Sequence, residues 1–288
     1  MVGRMDILVT GGTGKIGAAT AAALRAAGHR ATPASRGGGG EGGIELDLHD
    51  VDAVERAAEG RDAALLVMPI GPDEEALGPR LAAALARAGV RRIVAVGIHN
   101  AYEMREIPHF AAKLPMQAAV VEAGGTVLAC NWFQQNDANV LPLIMGPGVY
   151  ALPVGHAGVW AVHTDDIAAA AAHALTGDGW AGREVPVCGP ERLAGPDFAR
   201  HWAQALGRPV HYAGDDIDPF VAGMKAAFPY VDEWVENDFR IMLRVTQSHG
   251  CPATPDEVAE AERVVGRPLT RHQDFAARLA AAQQRSPS

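Results

Sequence analysis

A chain of 288 residues that is 48% hydrophobic and 20% charged can bury a full core, which excludes a mostly disordered protein. Its 33 glycines follow no triplet period and no apolar run reaches the roughly 18 residues of a membrane helix, so collagen-like and membrane-spanning readings fall. A net charge of −9 without a Lys/Arg cluster argues against nucleic acid as a partner. The three cysteines, Cys130, Cys188 and Cys251, are far apart and lack Cys-x-x-Cys spacing. They point to a reducing cytoplasm, with no disulfide framework and no metal site, and the N-terminus shows no signal-peptide layout.

In chain order, residues 5–10 (MDILVT) are a short apolar run ending in a glycine-rich turn, which reads as a strand buried on both faces. Residues 16–27 follow as an alanine-rich helix closed by Gly28. Residues 31–35 form a second strand, although Pro33 cannot donate to a ladder. Residues 37–43, six glycines and Glu41, read as a flexible surface loop. Further strands are expected at 44–48, 63–68, 92–96 and 126–130, with helices at 51–60, 73–89 and up to Gly124 between them. Strands alternating with helices predict an α/β fold with a Rossmann-type doubly wound parallel sheet.

Beyond about residue 140 prolines and glycines loosen the pattern. A helix is expected at 164–175, with Thr164 as its cap, followed by a strand at 185–188, a helix at 196–206 and a strand at 210–212. Helices then follow at 219–228, 231–245, 255–265 and 272–284, and residues 285–288 are expected to fray. The chain divides into residues 1–150, a nucleotide-binding domain, and 151–288, a smaller α/β substrate-binding region whose segments interleave with the first.

The strongest motif is Thr10-Gly11-Gly12-Thr13-Gly14-Lys15-Ile16-Gly17, with glycines spaced G-x-x-G-x-x-G between a strand and a helix. Glycines let the backbone approach a pyrophosphate, and the helix N-terminus supplies free N–H groups and partial positive charge. The bland alternative is a tight turn with no ligand. A P-loop fails because Val9 stands where its first glycine should be and Ile16 where Ser or Thr should bind magnesium. At the end of the second strand, where NAD would need an acid, stand Ser35 and Arg36. Arg36 can pair with a 2′-phosphate, which favours NADP(H) over NAD, or it is a solvated surface arginine.

The chain resembles the NmrA-like family of atypical short-chain dehydrogenases/reductases. The resemblance rests on the glycine turn and Arg36, on Leu46-Asp47-Leu48-His49-Asp50, and on His109-Phe110-Ala111-Ala112-Lys113. It continues through Asn131-Trp132-Phe133-Gln134-Gln135-Asn136, Val162-His163-Thr164-Asp165-Asp166-Ile167-Ala168, Cys188-Gly189-Pro190 and Leu206-Gly207-Arg208-Pro209-Val210. The resemblance implies that Asp47 and Leu48 lie beside the adenine and that Met68 and Pro69 line the cofactor groove. It also implies that Gly97 faces the nicotinamide, that Lys113 reaches its ribose, and that Trp132 and Phe133 cover it.

The departures bear on mechanism. The Tyr-x-x-x-Lys of short-chain dehydrogenases has His109 at the tyrosine position, and Gly97-Ile98-His99 replaces the serine stretch. His109 and Lys113, four apart, would share a helix face. Pro115 fits a first helical turn, which would start the helix near Leu114 and leave them in a loop. His109 reads equally as proton donor, substrate contact or packing; Lys113 reads more as a ribose contact than as a catalyst; Tyr102 is another candidate phenolic acid. His99, Gln135 and Trp160 join His109, Trp132 and Phe133 as candidate substrate contacts, and Trp202 and Trp234 read as core. The acidic stretch 215–218 reads as a solvated loop.

These readings favour an NADPH-dependent oxidoreductase acting on a small apolar or aromatic carbonyl, enone or imine-type substrate. The missing Tyr and Ser keep two alternatives open: an NADP(H)-sensing regulatory protein without catalysis, and a redox-neutral isomerase or cyclase. The expected partner is a small-molecule substrate, with neither nucleic acid nor membrane, and a homodimer is allowed for.

Overall fold

The computed structural model describes residues 3–228 and 231–285. Its centre is a seven-stranded sheet, and every strand pairing in it is parallel. The strands are β1 (Asp6–Thr10), β2 (Arg30–Ser35), β3 (Ile44–Glu45), β4 (Ala63–Leu66), β5 (Arg92–Ile98), β6 (Thr126–Cys130) and, after a short β7 (Val149–Tyr150), β8 (Arg183–Val187). Their order is β3-β2-β1-β4-β5-β6-β8, so the chain reverses direction across the sheet between β1 and β4. Every residue of β4 and β6 is buried, which explains their unbroken apolar sequences.

Helices α1 (Lys15–Ala26), α2 (Val51–Ala58), α3 (Glu74–Arg87) and α4 (Pro108–Glu122) connect these strands. They are followed by α5 (Leu141–Met145), α6 (Thr164–Thr176) and α7 (Gly195–Leu206), then by β9 (His211–Tyr212), which pairs with β7 in a separate ribbon. Helices α8 (Ile217–Ala227), α9 (Glu233–His249), α10 (Pro255–Val265) and α11 (His272–Arg285) complete the described chain. On one sheet face Val9, Leu65 and Leu128 pack with Leu24, Ile167 and Val264 of α1, α6 and α10. On the other Leu8, Leu66 and Val127 pack with Val54, Leu81 and Val120 of α2, α3 and α4. A third core, built around Tyr150, Phe198, Trp202 and Leu243, gathers the C-terminal elements at the edge of the sheet.

That third core holds a buried polar knot. Asp137, in a 3-10 turn at Gln134–Asn139, accepts from Tyr150 Oη at 2.8 Å and from Trp202 Nε1 at 2.6 Å. His272 Nε2 lies 2.7 Å from the same carboxylate, and its Nδ1 lies 3.1 Å from His201 Nδ1.

Several expectations are corrected. The third strand is two residues long, because Asp47 turns out of the ladder to accept from the His49 N–H at 3.0 Å. Pro33 is accommodated because Ala34 O accepts from Gly12 N–H, so alternation aims Pro33 away from β1, where β3 pairs only Ala34 and Ser35. The glycine loop is seated rather than free: Gly39 is buried, and a Cβ there would run into Pro33 O. Helix α4 starts at Pro108, not near Leu114, and Pro115 lies inside it.

His163, not Thr164, caps α6, its Nδ1 accepting from Asp165 N–H at 3.0 Å. The 215–218 stretch is a solvated loop only as far as Asp216, which caps α8; Ile217 and Asp218 are helical, and the exposed Asp218 pairs with Arg240 at 2.5 Å. Trp202 is core, as expected, but Trp234 is only half-buried. Arg285 is the last residue of α11, and residues 286–288 lie outside the described residues.

Candidate functional site

The C-terminal edge of the sheet opens onto a cavity of about 410 Å³. Lys15 and Ile16 of the glycine turn stand at one end. Its floor is Val67 and Met68 after β4, Val96 to Ile98 on β5, and Asn131 to Phe133 after β6. Its far wall comes from the C-terminal elements, through Leu152, Phe220, Phe239 and Met242. This is the crevice beside the point where the strand order reverses, where open α/β sheets bind ligands.

The glycine turn is held by Gly12 N–H donating to Ala34 O at 3.0 Å and Gly14 N–H to Gly11 O at 2.8 Å. Gly11 has φ +63°, in the left-handed region, and a Cβ on Gly17 would stand 2.7 Å from the Gly11 carbonyl carbon. Gly14 is the N-cap of α1, with no side-chain cap and no acid in the first turn. The first N–H groups of α1 therefore lack a side-chain acceptor and suit an anion. Thr13 and Lys15 are exposed on this turn, and Lys15 Nζ lies 3.4 Å from Gln135 O.

At the end of β2 the Ser35 hydroxyl is buried without a hydrogen-bond partner, and Arg36 beside it is exposed. An orphaned hydroxyl next to an exposed guanidinium fits a phosphate acceptor. Asp47 is exposed, and hydrogen bonds from the His49 N–H and ring hold its carboxyl below the ordinary range. Leu48 packs into the second-face core and Pro69 is exposed beside Met68.

The cavity's polar end is built on α4. His109 and Lys113 both belong to that helix and both line the cavity. Lys113 makes a buried ion pair with Glu74 of α3, whose other oxygen accepts from Gly71 N–H at 2.8 Å. Burial pushes the Glu74 carboxyl up, against the opposing pull of Lys113. Asp238 of α9, fully buried, accepts from the His109 backbone N–H at 2.9 Å. Its second oxygen lies 2.5 Å from His109 Nδ1, out of hydrogen-bond alignment. Nδ1 is buried against Asp238, and the His109 ring lines the cavity.

His99, at the end of β5, places Nε2 2.9 Å from Glu257 of α10 and Nδ1 3.0 Å from Asn131 Nδ2. The Asn131 amide is oriented by accepting from Trp132 N–H at 2.7 Å and donating to Cys251 O at 3.0 Å. Above Gly97, Gln117 Oε1 occupies the space a side chain would need, 2.8 Å from a built Cβ, and accepts from Ile98 N–H at 2.9 Å.

Of the expected site residues, the cavity wall brings together Lys15, Ile16, Met68, Gly97, His99, His109, Lys113, Trp132 and Phe133. Of the expected cofactor residues, Gly11, Thr13, Gly14, Gly17, Ser35, Arg36, Asp47, Leu48 and Pro69 lie outside that wall, and three of the expected catalytic and substrate residues do not reach it. Tyr102 is 64% exposed, with Arg105 stacked 4.6 Å from its ring. Trp160 packs with Phe133 into the core under α6. Gln135 Oε1 accepts from Thr164 N–H at 3.0 Å instead. No tyrosine is among the described residues lining the cavity. The carboxylates Glu74, Asp238 and Glu257 were not anticipated.

The three cysteines are free and buried, and burial pushes the Cys188 and Cys251 thiols up to about 12, so none is a poised nucleophile. Among the described residues no group of three or more His, Cys, Asp or Glu could hold a metal ion, and no helix is long and apolar enough to cross a membrane.

A family model described as the NmrA-like family matches residues 4–253. The chain is 31% identical over 288 residues to a (4-alkanoyl-5-oxo-2,5-dihydrofuran-3-yl)methyl phosphate reductase of Streptomyces griseus, covering 96% of this chain and 98% of that protein. It is 29% identical over 174 residues to an NAD(P)H azoreductase of Xenophilus azovorans, covering 60% and 61%. Its fold superposes on the NADPH-dependent quinone oxidoreductase of Escherichia coli, crystallised with NADPH, with a TM-score of 0.80 at 19% identity over 95% of this chain and 99% of that one.

Proposed function

The chain belongs to the NmrA-like family, and on that premise we propose that it is an NADPH-dependent oxidoreductase. Its substrate is a small apolar or aromatic carbonyl, enone or imine-type compound. One observation carries this reading: the glycine turn, the α4 polar pair and an apolar wall enclose a single cavity. The reductase names of the two relatives support the reaction class.

The free N–H groups at the start of α1, with Lys15, would hold the pyrophosphate. Ser35 and Arg36 would hold a 2′-phosphate, which distinguishes NADPH from NADH. Met68, Gly97, Trp132 and Phe133 would flank the nicotinamide. When bound, the cofactor supplies the hydride. Apolar side chains of α8 and α9 line the substrate half and would disfavour water there. The His109 ring, on a backbone N–H held by Asp238 and with the Asp238 carboxylate beside it, would give a proton to the reduced substrate.

Titration with NADPH and NADH, followed by nicotinamide fluorescence, tests the reading. Preferential NADPH binding, weakened in Arg36→Ala, and NADPH oxidation by members of a carbonyl and enone panel are expected. Binding of neither nucleotide would refute it. A second reading is favoured by the lack of a tyrosine among the described residues lining the cavity and by the engagement of Lys113 with Glu74. Tight NADPH binding with no turnover across the panel would favour an NADP(H) sensor.

A further inference from the structure

We propose that the substrate half of the cavity is built for an uncharged molecule and rejects anionic ones, phosphate esters included. The inference rests on the oxidoreductase reading for the placement of substrate, and it specifies which substrates that site takes. Its physical basis is that each basic side chain facing the substrate half is already matched by a carboxylate behind it.

Lys113 is neutralised by Glu74, whose side chain is 2% exposed. His109 is backed by Asp238, whose side chain is 0% exposed. His99 donates from Nε2 to Glu257 and accepts at Nδ1 from an Asn131 amide whose orientation Trp132 N–H fixes. That pattern fixes the ring with Nε2 aimed at a carboxylate and Nδ1 at an amide NH₂, so neither nitrogen is offered to an anion. The three carboxylates come from α3, α9 and α10, so the matching is assembled from three separate parts of the chain.

Lys15 is the one cation of the cavity wall without a carboxylate partner among the described residues, and it stands on the glycine turn, at the cofactor's end. The rest of the substrate half is mainly apolar, with Met104, Phe110, Leu152, Phe220 and Phe239, and its remaining polar members, Asn136 and Asn139, carry no charge. An anion entering there would lose hydration and meet no unmatched cation, next to three buried or half-buried carboxylates. An uncharged carbonyl compound loses little hydration and can still meet the His109 ring that lines the cavity. This separates the chain from its Streptomyces griseus relative, whose name specifies a phosphate ester. Discrimination here comes from repulsion and unreturned desolvation rather than from an added attraction.

The test uses two fluorescent probes with one aromatic framework. N-phenyl-1-naphthylamine is uncharged, and 8-anilinonaphthalene-1-sulfonate adds a sulfonate. Each is titrated into the full chain with and without saturating NADPH. The amine is expected to bind at least about tenfold more tightly than the sulfonate, and Met242→Trp, which fills the cavity from α9, is expected to abolish its signal.

Glu74→Gln and Asp238→Asn each unmask a basic group and are expected to narrow the ratio by strengthening the sulfonate alone. Sulfonate binding equal to or tighter than the amine, or binding of neither probe, overturns the inference. The wild-type ratio decides it even if a variant fails to fold. NADPH binding is read separately in the same samples. Its absence would sink the oxidoreductase reading, whereas a reversed probe ratio with NADPH bound would sink only the charge selectivity.

Discussion

Replacing Lys113 by methionine separates what the lysine does for the fold from what it does for chemistry. Its ammonium and the Glu74 carboxylate are 8% and 2% exposed, so each is the main compensation for the other's lost hydration. Removing one member of such a pair costs about 3 kcal/mol or more, because the survivor stays buried and unmatched. Lys113→Met and Glu74→Gln are each expected to lose ~3 kcal/mol, and the double variant only ~1 kcal/mol, since two neutral side chains of similar volume need no match. Glutamine can keep the contact to Gly71 N–H.

The deficit of Lys113→Met should also depend on pH. Burial raises the Glu74 carboxyl above its ordinary range against the pull of Lys113, so the fold takes up that proton more readily than the unfolded chain does. A carboxyl whose folded value lies above its unfolded value supports the fold at low pH, and that support is lost as pH rises through the folded value. With Lys113 gone, the loss should be smaller at about pH 5 than at about pH 8. Urea unfolding followed by far-ultraviolet circular dichroism at both pH values measures this. A double variant that loses the ~6 kcal/mol sum of the singles would refute the coupling.

Three further outcomes are expected. Burial, and then the neighbouring His272, brings His201 down from the ordinary 6.5 to about 4. The unfolded chain therefore binds a proton the fold refuses, and stability falls as pH drops from 6.5 towards 4. At about 1.4 kcal/mol per pH unit this caps at ~3 kcal/mol, or about 2 kcal/mol allowing for solvent at the ring edge; His201→Phe should flatten that acid limb in thermal melts, and an unchanged limb would count against it.

Gly17→Ala places a Cβ 2.7 Å from the Gly11 carbonyl carbon, so the turn must open. NADPH affinity should fall at least about tenfold by fluorescence titration, and wild-type affinity would contradict the packing. Tyr102→Phe should change turnover less than about twofold, because the 64% exposed ring lies outside the cavity; a large loss would return Tyr102 to the list of proton donors.

The parts of the candidate site that are legible in the sequence are those encoded locally. The glycine turn, its flanking strand and helix, and Arg36 lie within one βαβ unit, and apolar runs such as that of β6 reveal buried parallel strands. The carboxylates were hidden for the opposite reason. Glu74, Asp238 and Glu257 are 39, 129 and 158 residues from the partners they hold.

Each also has an adequate local explanation. Glu74 sits in a first helical turn, where acids favour the dipole; Asp238 lies in a charged helix; Glu257 completes a capping box with Thr254. Pro115 misled because a proline in a helix suggests a first turn, whereas Pro108 takes that role. Trp160 and Tyr102 were drawn in by ring chemistry alone, and only packing shows which aromatic side chains reach a cavity.

The place of β8 in the sheet has a consequence for synthesis of the chain. Strand β6 (Thr126–Cys130) receives its outer neighbour from β8 (Arg183–Val187), far downstream. On a ribosome adding about 5–20 residues per second, β6 waits several seconds for that neighbour. Its TVLAC sequence carries no lysine or proline to guard an open edge. Nascent chains stalled before β8 should therefore present a sticky border that chaperones occupy, and chains stalled beyond it should release them.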